Sequence, residues 1–176
     1  MAAKVTTGVW QPLRGSLPDA VLGDTIYLLP TEEAPPGSAD TSPRYSDSVQ
    51  YLPKNARAAG VPVEFATSEA ARVFLHGFSV DPTTLVVAVA VAQIANSWLV
   101  TAVESFIDTR AELQGWSRKQ GRRLPLKVAI AETEGKDETS WTCEIEGSGN
   151  DVVEAIRALQ GNDDRRGKSA GVPQGD

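Results

Sequence analysis

One cysteine, one histidine and one methionine are all that 176 residues hold of these three types. With Cys143 alone, neither an intramolecular disulfide nor a cysteine-based zinc site can form. With His76 alone, there is no histidine pair at metal-binding spacing. The chain also lacks a phosphate-cradling glycine-rich loop and a G-x-S-x-G nucleophile elbow, so the common signatures of nucleotide and ester chemistry are missing. It opens on Met-Ala-Ala-Lys-Val-Thr-Thr, without the apolar run of a secretory signal, and a cytoplasmic location is expected. Internal repeats are absent.

What is present is ordinary for a folded domain. Apolar residues make up 41% and charged residues 23% of the chain, and the net charge is −6. That length suits one core rather than two, and the acidic balance argues against general nucleic-acid binding. Arginine outnumbers lysine, and alanine, valine and glycine are abundant, a composition that fits a GC-rich bacterial genome.

Seven of the eleven prolines fall within the first 53 residues, and Pro30 to Ser48 offers almost nothing to bury. The expected organisation is therefore a loosely structured, proline-rich segment over 1–48, a compact domain over 49–160 and a disordered tail over 161–176. In the first segment Asp24 to Leu29 reads as a short strand, and Lys4 to Trp10 as a weaker one. Pro53 to Ala59 reads as a helix closed by Gly60, and Pro62 to Ala66 as a strand. Thr67 or Ser68 would cap a helix through Leu75 that stops at Gly77. Asp81 and Pro82 look like a helix start, with the helix continuing to about Gln114.

That long segment contains 22 uncharged positions, Pro82 to Val103, enough to span a bilayer. On a helix, however, Gln93, Ser97, Thr101, Glu104 and Asp108 share one arc, while Leu85, Val89, Leu99, Val103 and Phe106 lie on the rest. A core helix of a soluble domain is the expectation. The Val-Ala alternation from Val86 to Ala92 would also suit a buried strand. Downstream, Leu124, Leu126, Val128 and Ile130 alternate along one strand, and Trp141, Cys143 and Ile145 along another. The polar run Glu132 to Glu138 would join them as a hairpin. Ser148 and Asp151 precede an amphipathic helix carrying Val152, Val153, Ile156 and Leu159. The fold class expected from this order is α+β: a small two-layer sandwich, with helices, one of them long and apolar, on one face of a small mixed sheet.

Few residues suggest chemistry. His76 falls at the end of a predicted helix, where histidine is a local stabiliser. Cys143 lies on the inward face of its strand, as a small buried hydrophobe does. Glu104 and Asp108, one helical turn apart, could hold a divalent metal or act as an acid–base pair, although carboxylates are common on the wet face of a helix. The densest charge feature is the basic cluster Arg118, Lys119, Arg122 and Arg123 beside Trp116, on what reads as an exposed loop. It could meet phosphates or an acidic partner.

The stretches LVVAVAVAQIANSWLV, SRKQGRR, LPLKVAIAE, TSWTCEIEG and DVVEAIRAL, between residues 83 and 159, follow one another in an order that resembles the effector-associated constant component family of actinobacterial conflict systems. The resemblance implies a non-enzymatic adaptor that accompanies effector proteins, and it carries over no individual functional residue. The expectation is thus a binding or adaptor domain without a cofactor, acting through contact with a protein, which could be a second copy of itself. Trp116, Arg118, Lys119, Arg122 and Arg123 are its candidate contacts. The alternatives are an enzyme of hydrolase or metal-dependent type using the Glu104/Asp108 face, and a membrane-associated component using the 83–103 segment.

Overall fold

The computed structural model describes residues 2–8, 10–13, 16–18, 20–32, 37, 39, 42–67, 72–75, 83–90, 98–135 and 138–168. The chain is α+β. Its main sheet has six strands in the order β1 (Lys4–Thr7), β8 (Glu138–Ser148), β7 (Pro125–Gly135), β6 (Thr83–Ala90), β2 (Ile26–Leu28) and β4 (Val63–Phe65). The sheet is mixed: β6 pairs with β7 and β2 with β4 in parallel, and the other neighbours are antiparallel. A parallel neighbour cannot be reached by a hairpin. The crossover from β6 to β7 therefore carries two helices, α2 (Trp98–Gln114) and α3 (Arg118–Arg123).

The long apolar helix expected from residue 82 does not form. Thr83–Ala90 is instead a central strand, β6, and the described helix α2 runs over Trp98–Gln114. The cause is burial on both faces. Leu85, Val87 and Val89 enter the core beneath the helices, while Val86 and Ala88 enter a second cluster with Leu17, Tyr27, Leu29 and Ala129. A strand covered on both sides reads as a continuous hydrophobic run, like a buried helix. The expected start at Asp81–Pro82 lies outside the described residues, as do Gln93, Ser97 and His76. Among the described residues no helix is long and apolar enough to cross a membrane.

The helix-side core joins the sheet to α1 (Leu52–Ala58), α2 and α4 (Gly149–Lys168), through Leu52, Leu99, Val103, Phe106, Val152 and Ile156. Over the opposite face lie Leu17 and the half-buried Trp10 and Val21. The first 48 residues thus supply β1 and β2 of the main sheet, part of its second core, and β3 (Arg44–Ser46). Residues 161–168, expected within a tail, are the last turns of α4.

β3 pairs in parallel with β5 (Val73–Leu75), where a helix through Leu75 was expected. The buried Tyr45 ties this small sheet to the main one. Its hydroxyl donates to the Leu28 carbonyl at 3.3 Å and shares a hydrogen bond with Thr67 Oγ1 at 3.0 Å. Its ring packs edge-on against Phe65, with centroids 5.1 Å apart, and Arg72 stacks over Phe65 at 4.4 Å.

The other expected elements form. α1 ends where Gly60, at φ +84°, lets Val61 N–H reach the Ala56 carbonyl at 2.9 Å and Gly60 N–H reach that of Arg57 at 3.0 Å, a Schellman closure. β7 and β8 form the hairpin, and Leu126, Val128, Ile130, Cys143 and Ile145 all enter the helix-side core. Ser148 Oγ accepts from Asp151 N–H at 3.2 Å and so caps α4.

Candidate functional site

The basic cluster expected on a loop sits on a short helix. α2 closes at Gly115, whose φ of +70° lets Trp116 N–H reach back to the Ala111 carbonyl at 2.8 Å. The chain then restarts at once. Ser117 Oγ accepts from Gln120 N–H at 3.2 Å, and Gln120 Oε1 accepts from Ser117 N–H at 2.9 Å, a reciprocal capping box. The sequence signal was present in the Ser-x-x-Gln spacing. A helix of six residues is marginal alone, so docking on α2 must hold it. Gly121 makes that docking close: a β-carbon there would stand 2.8 Å from the β-carbon of Ala111.

Four cations therefore stand on one capped turn beside Trp116, but not in equivalent roles. Arg118 Nη2 donates to Asp108 Oδ2 at 2.5 Å, and this bond and charge raise the guanidinium pKa further. Arg118 thus serves first as a strut between α3 and α2. Lys119 and Arg123 are exposed and Arg122 is half-buried. No ion pair among the described residues holds these three. Trp116 is half-buried, with the Arg110 guanidinium 5.6 Å from its ring centroid. Arg110 went unnoticed in the sequence, although its spacing of six residues to Trp116 fits a helix folding back through a glycine turn. Beneath the indole a pocket lined by Phe106, Ile107, Ala111, Trp116, Gly121 and Leu124 has about 10 Å³ of room for a water. That is far below the several hundred Å³ of a small-molecule site.

Glu104 and Asp108 do not line that recess. Glu104 Oε1 accepts from Arg157 Nη2 at 3.2 Å, linking α2 to α4, and Asp108 links α2 to α3. Each carboxylate pairs with its own arginine. Asp108 Oδ1 is buried without a hydrogen-bond partner. Among the described residues no group of three or more histidine, cysteine or acidic side chains could hold a metal. Cys143 is fully buried. Burial first, and the neighbouring Glu144 charge second, push its thiol up to about 11, the reverse of what a nucleophile needs.

The site thus consists of a capped basic turn, a half-buried indole and a water-sized recess. No protein-family model matches the chain, and neither a curated protein nor a solved structure does.

Proposed function

We propose that this protein is a non-enzymatic binding domain that works by protein–protein contact, with the α3 corner as its contact surface. The observation that carries the reading is the set of Lys119, Arg122 and Arg123 on a capped, docked turn beside Trp116. A rigid turn loses little side-chain and backbone freedom on binding, and an indole flanked by cations suits a segment that is acidic with an apolar residue. The matching partner is an acidic stretch of another protein. The resemblance to the effector-associated constant component family suggests an accessory role in a bacterial conflict or signalling system, although its first stretch, expected as a helix, begins as the strand β6. An enzyme using Glu104 and Asp108 is the weaker reading, because each carboxylate is paired with an arginine and neither lines the described recess.

The test is a titration with a labelled peptide of glutamates and leucines, at low and high salt. Wild type should bind, and more weakly as salt rises. Lys119→Glu with Arg123→Glu, both exposed, should weaken binding about tenfold or more at low salt while leaving the thermal midpoint nearly unmoved, since exposed charges contribute little to stability. Equal binding by wild type and double variant would remove the basic corner as the contact.

A further inference from the structure

The main sheet ends on one side in β1, whose only strand neighbour among the described residues is β8. Gly8 N–H donates to the Thr142 carbonyl at 3.0 Å. In an antiparallel ladder hydrogen-bonded pairs recur at every second residue. Thr6 and Lys4 therefore bond inward to Glu144 and Glu146, and the N–H and C=O groups of Ala3, Val5 and Thr7 point away from the sheet. Val5 lies opposite Ile145, on the side the helices cover, yet remains 42% exposed. No bulge interrupts the pairing from Lys4 to Thr7, and Gly8 turns the chain off the edge at φ +74°. An unbroken edge with outward donors and acceptors is a template for another strand, and proteins that must stay single usually blunt it.

The strand also matches itself. About a two-fold axis through Val5, Val5 would stand opposite its own copy, Ala3 opposite Thr7, and Lys4 opposite Thr6. Each outward donor then meets an outward acceptor, the two half-exposed valines cover one another, and no like charges stand directly opposite. We propose that β1 is a homotypic interface through which two copies pair antiparallel about Val5 and join their sheets into one. This proposal does not rest on the reading of the basic corner. With about six main-chain hydrogen bonds and little area beyond them, the dimer is reversible and concentration-dependent.

Sedimentation equilibrium of the full chain tests it. Wild type should pass from monomer to dimer as concentration rises. Val5→Pro removes an N–H that the β1–β8 ladder does not use, so the fold should survive, with unchanged circular dichroism and thermal midpoint, while the dimer is lost at every concentration. Val5→Cys reads the register directly. A hydrogen-bonded antiparallel pair places its α-carbons about 5.5 Å apart, within disulfide reach, so mild oxidation should give a covalent dimer. Lys4→Cys, offset from its twin by two residues, should not. A wild type that stays monomeric throughout, or a folded Val5→Pro that dimerises as wild type does, would overturn the proposal. Equal cross-linking from the two cysteine positions would overturn it as well.

Discussion

β6 and α2 adjoin in sequence and share a long stretch without charge, but the fold buries them in different ways. β6 lies at the centre of the sheet, so Leu85, Val87 and Val89 meet the helices while Val86 and Ala88 meet the opposite cluster. α2 covers only one side of the sheet. Leu99, Val103 and Phe106 point inward, while Glu104 and Asp108 on its outer side are held by Arg157 and Arg118. Absence of charge reports how much of a segment is buried, not which secondary structure buries it. A strand is apolar throughout when both its faces are covered, whereas a helix on a sheet keeps a wet face.

The comparison breaks most sharply with a charge on β6. Ala88→Asp and Val87→Asp place a carboxylate in opposite cores, and either should cost most or all of a stability of about 5–15 kcal/mol. Both variants should lose cooperative urea unfolding. A cooperative transition near the wild-type midpoint for Ala88→Asp would mean that the second face is open. Next in size is Phe106→Ala on α2, which empties a fully buried site and should cost about 3–5 kcal/mol in denaturant titration. A loss under about 1 kcal/mol would show that α2 does not seal the helix-side core. Smallest is Glu104→Gln on the outer side, which removes a half-exposed pair with Arg157 and should cost less than about 1 kcal/mol. A double-mutant cycle with Arg157→Gln measures that coupling, and a value above about 2 kcal/mol would mark the outer face as more enclosed than it is described.

Much of the local structure was legible because local rules governed it. Pro53 and Gly60 bounded α1, Ser148 opened α4, and period-two alternation located β7 and β8 with Cys143 inward. The outer positions Thr101, Glu104 and Asp108 were also placed correctly against Leu99, Val103 and Phe106. The misread elements were those decided by distant partners. Val73–Leu75 is a strand because Arg44–Ser46 lies beside it, and Tyr45 holds that pair against the main sheet. Of the candidate site, the cluster and its tryptophan were visible as residues. Its mounting was misread as a loop: the Ser117-x-x-Gln120 spacing is a cap signal that went unnoticed, while the contact of Gly121 with Ala111 and the approach of Arg110 to Trp116 needed the helices to fold onto each other.

By itself, then, the amino-acid sequence determined composition, charge, turns, caps and the inward faces of the hairpin, because each depends on neighbours a few residues away. Tertiary structure alone decided that Thr83–Ala90 would be a strand, since helix and strand bury such a run equally well until β2 and β7 offer their backbone groups. It also decided that the two strands expected in the proline-rich first segment would join the main sheet, and that Glu104 and Asp108 would pair with different arginines, Arg157 on α4 and Arg118 on α3.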